Sequence, residues 1–215
     1  MAQATEHVFT ITNVLTPSCV VAAGAVTIST HDSSDKRVDT TSSVTTEAIT
    51  AGAIGGSPRF ETATDTPGFK DSATVTFTTA GQVQAGGFVK LVMPDLNAGT
   101  ALQSEWGFED PSVSYTAPSS GAPSATASFD ASSRTLTVVT AGATMPQSTQ
   151  LVITITNVRT PSSIVDANQV RATTQDSTGR TIDTTRSMAT DAIAAGALVA
   201  AELDASTDTP GFLHE

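Results

Sequence analysis

An internal repeat is the feature of this sequence that most constrains its fold. Residues 8–56 match residues 152–200 at 25 of 49 positions when the chain is aligned with itself at a shift of 144. One residue is then lost, and the two copies of the segment TDTPGF align at a shift of 143. The repeat is therefore about 143–144 residues long. The chain contains one front part, 70–151, and two back parts, 8–69 and 152–212.

Apolar and polar residues alternate along many short segments. In DSATVTFTT, Ala73, Val75 and Phe77 fall on one face of a strand, and threonines fall on the other. A period of two is typical of half-buried strands, and threonine suits the wet face because of its branched Cβ and its hydroxyl. Such segments, separated by turns at intervals of about 8–12 residues, predict an all-β protein of the sandwich kind.

The repeat and the strand pattern together predict a division of the chain. We expect a partial β unit, the back half of a repeat, at residues 1–50, followed by a connector at 51–69. A complete β-sandwich is expected at 70–190, and a connector or C-terminal tail at 191–215.

The phrases ITNVxTPSS, GRTIDTT and TPGF, in a chain rich in Thr and Ser, resemble a known class of repeats. They are similar to the tandem immunoglobulin-like repeats of large extracellular filament, sheath and adhesin proteins of microbes and algae. The resemblance implies immunoglobulin-like β-sandwich repeats, one complete and one partial. It also implies a structural building block outside the cell or at its surface.

The charge pattern excludes several partners. The net charge is −11, and the ten Lys and Arg residues are spread along the chain. Binding to nucleic acid or to an anionic membrane surface needs clustered cations, so neither is expected. No apolar run is long enough to cross a membrane, so membrane insertion is not expected either. The sequence has no Asn-x-Ser/Thr site, so any sugar would be O-linked, on exposed Thr and Ser.

Motifs for catalysis or cofactor binding are missing from the sequence. It has no nucleophile-elbow motif, no glycine-rich phosphate loop and no metal-binding histidine spacing. We therefore expect a protein that is not an enzyme and that has no cofactor.

The acidic segment HDSSDKRVD is the best candidate for a metal site, with Asp32, Asp35 and Asp39 as oxygen ligands for calcium. In the other copy of the repeat, however, Gly179 stands in the place of Asp35. An exchange of Asp for Gly favours a turn that needs left-handed backbone geometry.

Aromatic residues are rare, and Trp106 lies in the one aromatic cluster of the sequence. Its ring is a candidate glycan contact, which would suit an adhesin or carbohydrate-binding module, our alternative function. The other interpretation is that it plugs one end of the sandwich or a contact between units.

The two TPGF segments are predicted to connect units. Proline restricts φ and glycine permits a sharp change of direction, while phenylalanine can anchor a joint in an apolar pocket. The connector residues are Pro67, Gly68, Phe69, Pro210, Gly211 and Phe212.

The unequal number of front and back parts predicts self-assembly. The N-terminal back part would expose an apolar face and open strand edges, which invite pairing with another chain. We expect head-to-tail assembly with copies of itself, by strand complementation, into an extracellular fibre or surface layer. The alternative is that the chain is one stretch of a longer repeat protein, whose preceding strands complete the unit. The expected interface residues are Phe9, Ile11, Val26, Ile28 and Val38.

Overall fold

The protein is all-β, as predicted, and the described residues contain thirteen strands and no helix. The structure is a computed structural model that describes residues 8–96, 105–117 and 124–199. The strands are β1 (Ala25–His31), β2 (Arg37–Thr45), β3 (Gly52–Ala53), β4 (Gly55–Thr62), β5 (Lys70–Thr78), β6 (Phe88–Val92), β7 (Gly107–Phe108), β8 (Val113–Ala117), β9 (Ser124–Asp130), β10 (Thr135–Ala141), β11 (Gln150–Arg159), β12 (Gln169–Gln175) and β13 (Thr181–Thr190).

The strands form two separate sheets. β1 and β2 pair with each other as a two-stranded hairpin, and the other strands form one 11-stranded sheet. Its order is β7-β11-β5-β4-β13-β12-β6-β10-β9, with β8 also paired to β11 and β3 also paired to β13. The sheet curls until it almost closes, because β8 and β9, from its two ends, lie against each other. We call residues 52–193, which contain β3 to β13, the complete unit.

The core of the complete unit follows the predicted alternation. Ala73, Val75 and Phe77 on β5 are buried, as are Leu136 and Val138 on β10. The threonines between them face away from this core and are only partly buried. Alternate residues of every central strand therefore point into one apolar cluster.

The expected connector at 51–69 differs from what the structure shows. β3 and β4 lie within this range, and both belong to the large sheet. β4 pairs antiparallel with β5 and parallel with β13, so it joins the two halves of the sheet. Phe60 on β4 is fully buried in the core. The complete unit thus includes strands from before residue 70, and only residues 51, 54 and 63–69 of the range lie outside a strand.

The β1–β2 hairpin is a structural copy of the β12–β13 hairpin, at a shift of 144. The isolated bridge between Val21 and Ile49 has its counterpart between Val165 and Ile193. At the turn, Asp35 has φ 60° and its counterpart Gly179 has φ 83°. The predicted need for left-handed geometry at this position is confirmed.

Residues 8–15 align with residues 152–159, the last eight residues of β11, but form no strand. In the complete unit, β11 is held by hydrogen bonds to β5 and β8. Among the described residues, no strand pairs with residues 8–15. The N-terminal back part therefore reproduces the hairpin of a unit without its third strand, and we call residues 8–49 the half unit.

Phe60 and Phe69 make a matched pair for testing this assignment. We expect Phe60→Ala to lower the free energy of unfolding by about 3–5 kcal/mol, because it empties a fully buried site. Phe69 is half exposed, so Phe69→Ala should cost less than about 1 kcal/mol. Urea denaturation of both variants measures the difference, and equal losses would contradict the placement of β4 in the core.

Candidate functional site

The half unit carries an apolar surface that nothing in the described part of the chain covers. On β1 and β2, Ile28 is 51% exposed and Val38 is 63% exposed. Phe9 is also exposed, in the segment that precedes them. All five predicted interface residues thus lie at the surface. We define the half-unit face as the following exposed residues: Ile11, Val14, Val26, Ile28, Val38 and Val44.

Every residue of the half-unit face has a buried counterpart in the complete unit, at a shift of 144. Ala172 and Ile182, the counterparts of Ile28 and Val38, are 0% and 6% exposed. The other counterparts are Ile155, Val158, Val170 and Met188, and all are buried. In the complete unit these residues pack in one cluster with the apolar residues of β5, β6 and β10. The half-unit face therefore consists of residues whose counterparts are buried in the core of the complete unit.

The edges of the hairpin are open as well. In the complete unit, β12 pairs with β6, and β13 pairs with β3 and β4. Among the described residues, β1 and β2 pair only with each other. Both edges of the hairpin thus present backbone N–H and C=O groups to solvent, which is the usual template for adding a strand.

A buried carboxylate, Asp183, shows what the counterpart residue Asp39 lacks. The Thr174 hydroxyl donates to Asp183 Oδ2 over 3.1 Å, and the Asp183 amide donates to Thr174 Oγ1 over 3.0 Å. The amides of Ala80 and Gly81 also donate to the same carboxylate, over 3.2 and 2.9 Å. All of these bonds lie in a site where Asp183 is fully buried.

In the half unit, Asp39 and Thr30 repeat this pair. The Thr30 hydroxyl donates to Asp39 Oδ2 over 3.0 Å, and the Asp39 amide donates to Thr30 Oγ1 over 3.1 Å. No described backbone amide donates to the Asp39 carboxylate, which is exposed. The side chain is thus already oriented for a contact that only the complete unit makes. Identical Asp and Thr residues in both copies of the repeat were the sequence signal for this site, and our sequence analysis missed it.

The three candidate metal ligands serve different partners. Asp32 Oδ1 accepts hydrogen bonds from the amides of Ser34 and Lys36, over 2.8 and 2.9 Å, and so stabilises the hairpin turn. Asp35 contacts His31, with 3.0 Å between Oδ1 and Nδ1. Asp39 bonds to Thr30 instead. No group of three or more acidic, His or Cys residues suited to a metal ion occurs within residues 8–96, 105–117 and 124–199.

Trp106 is buried, with 4% of its surface exposed. Its ring packs edge-on against Phe60, with 5.4 Å between the ring centroids, and Phe60 also contacts Phe108 at 6.4 Å. Burial of the Tyr115 side chain raises the pKa of its hydroxyl to about 12. A ring buried in this way offers no face to a sugar, and its position matches the structural interpretation of the aromatic cluster.

The first TPGF segment is attached to the complete unit. Gly68 has φ 69°, and its amide donates to the Pro161 carbonyl over 2.7 Å. The Phe69 amide donates to Thr160 Oγ1 over 2.9 Å, while the Phe69 side chain stays half exposed. Pro67 lies in the same turn. The remaining connector residues, Pro210, Gly211 and Phe212, lie outside the described residues.

The half unit contacts the complete unit through Cys19 and Val20. The Val20 amide donates to the Thr181 carbonyl over 2.9 Å, and Cys19 is buried at the contact. At Asp176, desolvation raises the pKa, but hydrogen bonds from Thr178, Arg180 and Cys19 outweigh it and leave the pKa lowered. A cleft of about 680 Å³ lies between the two units. The Asp183 carboxylate lines this cleft and is held by hydrogen bonds from the backbone amides of Ala80 and Gly81.

No protein-family model and no curated protein sequence matches this chain. In the described part of the chain, no helix is long and apolar enough to cross a membrane.

Asp183 and Asp39 provide a matched pair of variants. We expect Asp183→Ala to lower the free energy of unfolding by about 1–3 kcal/mol, because it leaves the amides of Ala80 and Gly81 without their acceptor in a buried site. Asp39→Ala removes an exposed side chain and should change stability by no more than about 0.5 kcal/mol in dilute solution. Thermal denaturation of both variants tests this, and a large loss in Asp39→Ala would show that Asp39 is already engaged in the isolated chain.

Proposed function

We propose that the protein is a structural subunit that assembles head to tail with copies of itself into an extracellular fibre or surface layer. The observation that carries the proposal is the half-unit face. It repeats a buried core surface residue by residue, yet it is exposed. An apolar surface of this kind on a soluble chain marks a contact with another molecule.

The complete unit is proposed to be an immunoglobulin-like sandwich, which is a common building block of extracellular structures. Its first layer would be β4-β5-β11-β8, in the order of strands A, B, E and D of that fold. The second layer would contain β13-β12-β6, in the order G, F and C, and is extended by β10 and β9.

A second copy of the chain is the occupant that best suits the half unit. The contact joins different surfaces of two identical molecules, because the half unit lies at one end of the chain. A heterologous contact that does not close builds a filament. The acidic net charge of −11 and the Thr-rich strand faces keep the sides of such a filament solvated. O-linked sugars on these faces would also keep the sides of the filament solvated.

The test is assembly of the full chain, followed by sedimentation velocity over a concentration series and by negative-stain electron microscopy. We expect oligomers that grow with concentration and elongated particles. The double variant Ile28→Ser with Val38→Ser should shift the distribution to the monomer, because it makes the half-unit face polar.

Phe69→Ser is the matched control, since Phe69 is exposed to a similar degree but lies on the complete unit. This variant should assemble like the unmodified chain. Thermal denaturation should show that the complete unit stays folded in both variants. A strictly monomeric unmodified chain, or a double variant that assembles unchanged, would overturn the proposal.

A further inference from the structure

In the complete unit, the short strand β3 pairs in parallel with β13, on the side of β13 that faces away from β12. β3 pairs with β13 so that Gly52 lies opposite Asp183 and Ala53 lies opposite Thr184. The amide of Ile54 then donates to the Thr184 carbonyl over 3.2 Å, and the Ile54 side chain is buried in the core. This strand follows directly after the half unit in the sequence. One segment thus leaves one unit and completes the sheet of the next.

The repeat supplies a second copy of this segment near the C-terminus. The sequence AGAL at 195–198 stands where AGAI stands at 51–54. Leu198, the counterpart of the buried Ile54, is 91% exposed, and Val199 beside it is 88% exposed. Residues 194–199 form no strand here. The Ala194 amide donates to the Asp65 carbonyl over 2.9 Å. Beyond it, residues 195–199 have the sequence of an edge strand but no strand partner among the described residues.

The half unit supplies the matching acceptor. Asp39 and Thr40 on β2 are the counterparts of Asp183 and Thr184 on β13. In the described residues, the edge of β2 opposite β1 has no strand partner. The chain thus has one free copy of the edge strand and one free copy of its acceptor.

A steric requirement makes the match specific. A Cβ atom built on Gly52 would overlap Oδ1 of Asp183, so the residue opposite this aspartate must be glycine. The counterpart pair keeps both partners, Gly196 and Asp39. Thr30 already orients the Asp39 carboxylate as Thr174 orients that of Asp183.

We propose that residues 195–199 of one copy add as a parallel strand along β2 of a second copy, with Gly196 opposite Asp39 and Ala197 opposite Thr40. The Leu198 amide then donates to the Thr40 carbonyl, and its side chain packs at the border of the half-unit face. The inference rests on the proposed function and names the contact that carries it.

The segment at 195–199 suits this contact better than the front part, 70–151. The front part already covers the back part of its own unit, as the complete unit shows. If it moved to the half unit of a neighbour, it would uncover an equal surface in its own unit. Transfer of residues 195–199 breaks no strand pairing among the described residues. A contact of this kind joins different surfaces of two copies and so extends the assembly head to tail.

Cysteine cross-linking of the full chain tests the register. In a Cys19→Ser background, the pair Ala197→Cys and Thr40→Cys should form disulfides between molecules under mild oxidation, because the two Cα atoms are direct cross-strand neighbours. A non-reducing gel should then show a ladder of covalent oligomers. The control pair, Ala197→Cys and Thr45→Cys, lies about 16 Å out of register along β2 and should give no ladder.

Gly196→Val and Ala197→Val give an independent test without cysteines. Gly196→Val should weaken assembly at least about tenfold in sedimentation velocity. The overlap with Asp39 forces the strands apart in that variant. Ala197→Val should assemble normally, because the counterpart Ala53 is exposed.

The outcomes separate the two proposals. Oligomers without the in-register ladder, or with equal effects of the two valine variants, would overturn this contact and leave the proposed function in place. A chain that stays monomeric at every concentration would overturn both. A disulfide that forms only within one molecule, seen as a single fast-migrating band, would show that the strand returns to its own half unit.

Discussion

A back part of this repeat can bury its apolar residues only when the strands of a front part complete the core around them. In the complete unit, β5, β6 and β10 contribute to the same apolar cluster, and the apolar side chains of β11, β12 and β13 are buried in it. The half unit has the same hairpin, with apolar residues at the same positions, but no front part packs against it among the described residues. A two-stranded hairpin with one apolar face is marginally stable alone. The contrast between two similar segments in one chain thus isolates the contribution of the front part.

The strands β3 and β4 link the two units in a way that a flexible connector would not. They leave the half unit and enter the sheet of the complete unit between β13 and β5, with Phe60 at the centre of the core. The complete unit therefore takes two of its strands from the segment that follows the half unit. The same pairing between two molecules would use the exposed segment at 195–199 as the added strand and β2 as its partner.

The repeat and its alternation predicted the strands and the turn of the hairpins, because a period of two and an Asp-to-Gly exchange report local geometry directly. The segment GAIGGSPRF lies in the range 51–69, which the sequence analysis predicts to be a connector. The structure shows the reason: Gly56 and Ser57 have positive φ, and the pairing of β4 with β5 shifts register between Gly55 and Arg59. A bulge of this kind hides a strand from any periodicity.

Contacts between residues that are distant in sequence could not be predicted, because periodicity reports only local geometry. The burial of Trp106 depends on Phe60, which is distant in sequence, and the role of Asp183 depends on the amides of Ala80 and Gly81. The residue types alone made Trp106 a candidate glycan contact and Asp39 a candidate calcium ligand. The residues that pack around each side chain in the fold determine its role. Only the comparison of Asp39 with its buried counterpart shows what the half unit lacks.

Hydrogen exchange measured by mass spectrometry at several protein concentrations tests the central claim most directly. The account predicts that the peptide containing β2, residues 37–46, becomes more protected as concentration rises. The peptide containing β13, residues 181–190, should be protected equally at every concentration, because its edges are already paired within the chain. Exchange in β2 that stays fast and independent of concentration, in a sample that contains oligomers, would contradict the claim that assembly adds a strand to the open edge of β2.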